Sequence, residues 1–287
     1  MLANGGFVAG SLNPSAGNAI KEKDGWRISG RWSWGSFIAY SEATLVVCVE
    51  RESGGANATS KGGPALRGAL LPTREVNIVR NWDGGGLRSS GSHDFTIDNA
   101  FVEEARTFAL TDFAVKPHHP GALYALPFIT MFALGITAVS LGVARGSIDA
   151  LMDLAQRKIP TGAQTPLREQ ASVQAAIAEA ETSLRSARSF LFESVQTLWN
   201  RQISGQPGDM TQRALVRMAS CHIVQVAKKI TDSMFSAAGG SAVHERAPFG
   251  AQLRDAQAVA QHLAFSPRTM ETAGRVLLGM DPGTSRF

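Results

Sequence analysis

The sequence predicts an α+β protein: a β-barrel or sandwich domain over residues 1–115, then an antiparallel four-helix bundle over 116–287. Two observations lead to this. Up to about residue 108, short runs of β-formers alternate with turn signals, the pattern of an all-β unit. Beyond Pro117–Pro120, long apolar stripes recur in steps of three and four with short connections between them, the pattern of packed antiparallel helices.

The expected strands are Phe7–Ser11, Trp26–Gly30, Ala43–Val49, Gly68–Pro72, Val76–Trp82 and Asp94–Val102. Asn13-Pro14, Asp24-Gly25, Gly54-Gly55, Gly62-Gly63-Pro64 and Asp98-Asn99 mark the turns between them. The first helix is expected from about Gly121 to Lys158, ended by Pro160-Thr161-Gly162. The second opens on Thr165 as N-cap with Pro166 at the first helical position. Its stripe is Val173, Ile177, Ala180, Leu184, Ala187, Leu191, Val195 and Leu198. The third opens on Asp209, with Gln212 at capping-box spacing, and carries Val216, Ala219, Ile223, Ala227, Ile230 and Met234 to Gly239-Gly240. A pair of shorter helices completes the set, Ala251–Ala264 and, after Ser266-Pro267, a segment to Leu278.

Composition narrows the function. The 287 residues are 44% hydrophobic and 18% charged, which is globular and long enough for two domains. The net charge of +4 is scattered rather than gathered into a patch, so no nucleic-acid partner is expected. Cys48 and Cys221 offer neither a disulfide framework nor metal spacing. The start, MLANGGFVAG, lacks the features of a secretory signal, and a reducing, cytoplasmic location is expected. Leu123–Val143 is mostly apolar and long enough to cross a bilayer. Pro127, Thr130, Thr137, Ser140 and two glycines interrupt it, and its rhythm continues past Arg145 into a polar-faced helix. A fully buried bundle helix is therefore expected, and no membrane partner.

The stretch Gly25–Ser41, GWRISGRWSWGSFIAYS, concentrates the chemistry. It reads as two strands, with Trp26, Ile28 and Gly30 alternating with Arg27, Ser29 and Arg31, and a second aromatic set at Trp32 and Trp34. Three of the five tryptophans fall here, interleaved with hydroxyls. Such a surface suits a flat aromatic ligand, and equally suits a tryptophan-rich sheet face.

These strings, in their order, resemble the acyl-CoA dehydrogenase superfamily of flavoproteins, most closely its two-component flavin monooxygenases of the hydroxyphenylacetate and dibenzothiophene type. The resemblance rests on Asn13-Pro14 with Ala16-Gly17, on DGWRISGRWSWGS, on WDGGGLRSSGSHDFTIDNAFV, on Arg157, Gln174 and Gly239-Gly240, and on LRDAQAVAQH. It covers the family's second and third domains. The N-terminal helical domain of roughly a hundred residues that walls one side of the cavity in the family is expected before residue 1 and is lacking here.

The resemblance implies a flavin, FMN or FAD, with Asn13 beside it, Trp34 against the isoalloxazine and Ser36 bonded to N5. Ser36 is also an ordinary strand-end serine, and Trp34 an ordinary core residue. Arg157 is implied as a flavin phosphate partner, or serves the helix C-terminus. Gly239 and Gly240 let backbone approach the flavin, or cap a helix. His262 lies where the monooxygenases tend to carry a histidine, and acts as base or hydrogen-bond donor, or faces solvent. The dehydrogenases carry a carboxylate there, and AQAVAQHLAFS holds none. Ser36 and His262 are thus the catalytic candidates, and no metal is expected. The resemblance implies the oxygenase component of a two-component monooxygenase, using reduced flavin and dioxygen on a small aromatic or heteroatom substrate. A separate flavin reductase and assembly into dimers or tetramers go with it. The alternatives are an FAD-dependent acyl-CoA dehydrogenase with Glu245 or Glu271 as base, or an inactive truncated relative.

Overall fold

The computed structural model describes residues 6–52, 56–60, 63–110, 121–206 and 208–284. The expected domain boundary near 115 and the Pro117–Pro120 switch lie outside these residues. The chain forms two compact units, Met1–Gly84 with Arg88–Val115, and Gly85–Leu87 with Lys116–Phe287.

The first unit is built on one eight-stranded sheet. Its strands are β1 (Val8–Ser11), β2 (Gly17–Glu22), β3 (Gly25–Gly35), β4 (Ala43–Arg51), β7 (Leu66–Pro72), β8 (Asn77–Val79), β9 (His93–Glu103) and β10 (Thr107–Ala109). A separate two-stranded ribbon joins β5 (Thr59–Ser60) to β6 (Gly63–Pro64). The main order is β10-β7-β4-β2-β3-β9-β8. The run ATLVVCV in β4 is almost wholly buried because both its edges are paired. On one edge lies antiparallel β7; on the other, β1 and β2 follow one another in parallel pairing.

Two expectations change here. Residues 25–35 form one eleven-residue strand rather than two, because β9 pairs along its whole length while β2 pairs with Gly25–Gly30 on the other edge. Strand β2 was not anticipated. Its sequence GNAIKE has weak strand propensity, and pairing to β3 and β4 overrides that.

Trp32 anchors this unit. Its ring is fully buried, stacks on Phe95 with centroids 5.6 Å apart, and donates its Nε1–H to the Val47 carbonyl at 3.1 Å. Gly17 and Gly30 face each other across β2 and β3, and a Cβ on either would collide with the Trp32 ring. Trp26 is also buried, with Arg67 over its face and its Nε1–H donated to Glu104.

The second unit holds three long helices and two short ones: α1 (Phe128–Arg157), α2 (Ala171–Ile203), α3 (Met210–Ala238), α4 (Pro248–Val259) and α5 (Pro267–Leu277). The fold class is thus the expected α+β one, a sheet unit followed by a helical unit. Helix α3 is central and packs on the other four. Its predicted stripe is buried in full. The capping box forms, with the Gln212 N–H donated to Asp209 and the Asp209 N–H donated back to the Gln212 side chain, both at 3.0 Å.

Three helix starts differ from expectation. Leu126 precedes Pro127 and is held extended, so α1 begins at Phe128 instead of Gly121. Pro166 opens a single 3-10 turn, Leu167–Glu169, and α2 starts after Gln170 with no side-chain cap. Pro248 opens α4 earlier than Ala251, as its fixed φ suits the first turn. Helix α1 is also less buried than expected. Its inward stripe is small (Thr130, Ala133, Thr137, Ser140, Ala144), and only 28% of its most apolar window is buried. By length and composition it is the one helix among the described residues apolar enough to cross a membrane. Its stripe instead packs on α3.

Gly17→Ala is expected to lower stability by about 1–3 kcal/mol, the cost of overpacking a filled core. Urea unfolding checks this: the midpoint should fall at unchanged slope, and a wild-type midpoint would show that the Trp32 ring can move aside.

Candidate functional site

In the sheet unit the candidate site is made by an irregularity in β3. Trp32 pairs with Phe95, and the next register partner is Gly35 with His93, so Ser33 and Trp34 together oppose Asp94. This is a β-bulge, and it breaks the alternation. By period two Trp34 would share the buried face with Trp26, Ile28 and Trp32. Instead its φ is +65° and its indole is 73% exposed. Phe37 also sits at positive φ, +59°, a strained conformation for an aromatic residue.

Cross-links hold that strain. The Ser36 N–H donates to the Trp34 carbonyl at 3.0 Å, and the Phe37 N–H to the Ser90 carbonyl at 2.7 Å. The Ser36 hydroxyl meets the Ser92 hydroxyl at 2.9 Å, and Ser92 meets Ser90 at 2.7 Å. Ser92 is buried. Beside this relay opens a pocket of about 270 Å³, lined by Trp34, Asn81, Trp82, Asp83, Gly84, Ser92 and Asp94. Arg31 bonds the Asp94 carboxylate at 2.8 and 3.3 Å and holds its pKa below the usual carboxylate range; Ser33 and Asn81 add to this. The pocket wall thus carries an ionised carboxylate, balanced by the guanidinium of Arg31.

Trp34 and Ser36 are brought together at this edge. Asn13 is not among the pocket's lining residues: it lies exposed in the turn between β1 and β2, accepting a hydrogen bond from the Ser15 hydroxyl at 2.8 Å. Ser92, Asn81 and Asp94 escaped sequence reasoning. Ser92 and Asp94 reach the site through the pairing of β3 with β9, and Asn81 through that of β8 with β9 and the hydrogen bond it accepts from the Asp94 N–H at 2.9 Å; the serine cluster SSGS was the one local signal.

In the helical unit, His262 caps the short turn Leu263–Phe265. Its Nδ1 accepts the Ala264 N–H at 3.1 Å. The ring lies against Phe132 and Phe265, with centroids 5.8 and 6.0 Å away, and keeps an edge in solvent. Apolar surroundings, then the charge of Arg217, push its pKa down from 6.5. With Nδ1 committed as acceptor, the neutral ring carries its proton on Nε2, a donor.

The other three candidates gather at one end of this unit. Arg157 closes α1, largely exposed and paired with Asp153 at 2.9 Å. Gly239 ends α3 at φ +58° and ψ −146°, a conformation only glycine adopts readily, so it is a helix terminator here. Lys158 donates to the Ala238 carbonyl at 2.7 Å and brings the end of α1 to the end of α3. Farther along, Arg254 and Asp255 grip residues 85–87, through the Gly85 carbonyl at 2.9 Å and the Leu87 N–H at 2.6 Å.

Residues 134–267 match the family model of the acyl-CoA dehydrogenase C-terminal domain. That match spans most of the helical unit, from within α1 to the start of α5. Similar proteins extend the likeness to the whole chain. An indole-3-acetate monooxygenase of Pseudomonas putida is 29% identical over 96% of this chain and 68% of its own length. The oxygenase component of a p-hydroxyphenylacetate 3-hydroxylase of Acinetobacter baumannii is 24% identical over 93% of this chain and 63% of its own length. The structure of XiaF from Streptomyces sp., solved with FADH2 and glycerol, superposes with a TM-score of 0.87 over 97% of this chain and 70% of that one; at 19% identity this speaks for the fold. The resemblance to two-component flavin monooxygenases drawn from the sequence is thus shown by its relatives.

The folded state binds fewer protons at His262 than the unfolded chain just below pH 6.5, so stability rises with pH through that window and is lost as pH falls. Comparing urea midpoints from pH 7.5 down to 5 for wild type and His262→Gln, the acid loss should be shallower in the variant; equal slopes would refute the depressed pKa.

Proposed function

We propose that this chain is the oxygenase component of a two-component flavin-dependent monooxygenase acting on a small aromatic substrate. One observation carries the choice. An acyl-CoA dehydrogenase needs a carboxylate to take a proton from its thioester, and residues 256–266 contain no Asp or Glu. His262 stands in that segment as a neutral ring whose Nδ1 is already bonded, so it presents a donor where a dehydrogenase needs a base.

The sheet unit fits a flavin. An indole forced out of the core offers a flat apolar face, and the Ser36–Ser92–Ser90 hydroxyls beside it donate or accept as a heteroaromatic edge requires. Trp34 would cover the ring and Ser36 would bond N5, held in place from behind by buried Ser92. Within the helical unit, Arg157 and the Gly239-Gly240 backbone are the candidates for a flavin phosphate, and within the sheet unit Asn13 remains a candidate for flavin contact. FMN and FAD both suit this set. Reduced flavin supplies the electrons and the position at which dioxygen is activated. The residues would supply orientation, and His262 would offer its Nε2–H as a hydrogen-bond donor to a substrate. A separate flavin reductase, a homo-oligomer and a cytoplasmic location complete the proposal.

Incubation with a flavin reductase, NADH, an aryl acid or phenol and ¹⁸O₂ should place one labelled oxygen in the product. Reduction of a dye by acyl-CoA without reductase or oxygen would point to the dehydrogenase instead. Ser36→Ala should weaken reduced-flavin binding about fivefold, the worth of one hydrogen bond of roughly 1 kcal/mol. Trp34→Ala should weaken it at least as much with an unchanged unfolding midpoint, since the indole is exposed; flavin affinity unchanged in both variants would remove this edge from the site.

A further inference from the structure

Arg217 lies in the first half of α3 and is 5% exposed, yet among the described residues no carboxylate pairs with it. Its Nη2 donates to the Ala264 carbonyl at 3.3 Å and its Nη1 to the Ile129 carbonyl at 3.5 Å, while Nε is buried without a partner. A buried guanidinium with no counter-charge is expensive, and hydrogen bonds to two carbonyls offset that only in part. The two carbonyls it joins are informative. Ile129 is in the first turn of α1, three residues before Phe132. Ala264 is the residue whose N–H occupies His262 Nδ1, and its carbonyl also accepts from Thr269 at 3.2 Å. The fork therefore spans the two segments whose side chains, Phe132 and His262, meet at 5.8 Å.

We propose that Arg217 is the positioning residue for His262: its guanidinium ties the Ala264 carbonyl to the Ile129 carbonyl, setting the imidazole against Phe132 with Nδ1 closed and Nε2–H open to a ligand. The neighbourhood supports this. Phe132 faces His262 from α1 and Phe265 from its own turn, both apolar. From α3 come Arg217 and Cys221, whose thiol burial pushes up and so keeps neutral. Arg217 is the one charged group that acts on the imidazole, and a like charge so close favours the neutral ring. The same side chain thus sets the orientation of the donor and adds to the effect of burial in keeping it neutral. Its consequence for turnover rests on the role proposed above for His262, but its test needs neither flavin nor substrate, so either can fail without the other.

The test is an NMR titration of the full-length, histidine-labelled protein, with His262→Gln identifying the resonance among six histidines. Arg217→Met should raise the His262 pKa by about half a unit or more and speed exchange of the Ala264 amide about tenfold. Arg217→Lys keeps the charge and loses the fork, so its His262 pKa should stay near wild type while the Ala264 amide exchanges faster. A folded Arg217→Met protein with both quantities at wild-type values overturns the proposal. Should that variant not fold, Arg217→Lys decides, and a wild-type exchange rate at Ala264 overturns it.

Discussion

The burial of Trp32 is the constraint on which the sheet unit depends. Its ring needs the space left by Gly17 and Gly30, the face of Phe95 and the carbonyl of Val47, so it locks β3 in one register against β2, β4 and β9 together. A strand held so firmly at Trp32 cannot slip to relieve the extra residue that follows. The irregularity stays local, appears as the bulge at Ser33 and Trp34, and throws the next indole into solvent. The strained φ values of Trp34 and Phe37 are held by the core behind them and by the cross-links to Ser90 and Ser92. The result is a large aromatic surface left exposed beside a hydroxyl relay, the feature on which the proposed flavin edge rests.

The helical unit applies the same economy with different means. Its long helices assemble around α3, whose stripe buries almost every apolar residue it has. The departures are polar: Arg217 is buried with no counter-ion among the described residues, and His262 sits at a turn with one nitrogen occupied. Both lie where the segment that would hold a dehydrogenase base carries none. Imidazole and carboxylate are opposite solutions at such a place. A carboxylate accepts a proton, whereas this ring, lowered in pKa and closed at Nδ1, has a free Nε2–H to donate and favours the neutral form.

Much of this was legible from residue order alone. The β-then-α division, the stripes of α2 and α3, the capping box at Asp209 and Gln212 and the family resemblance all follow from patterns within short windows, because helix periodicity and caps are local physics. The starts of α1, α2 and α4 were missed where proline chemistry acted one residue away from the obvious signal. Strand β2 was missed because its stability comes from its neighbours on either side.

By itself, then, the sequence determined the β-then-α order, the family resemblance and the identities of Trp34, Ser36 and His262 as candidates, since these rest on composition and order. Only the tertiary structure decided what those residues present. Trp32 and Trp34 are two positions apart with the same spacing rule, and only the pairing with β9 sends one ring inward and the other out. Ser92 and Asp94 join Ser36 and Trp34 across more than fifty residues of chain through that same pairing. The tautomer of His262 depends on the Ala264 amide, and its pKa on burial first and then on Arg217, forty-five residues away. Contacts between distant segments set exposure, strain and protonation, and no local pattern encodes them.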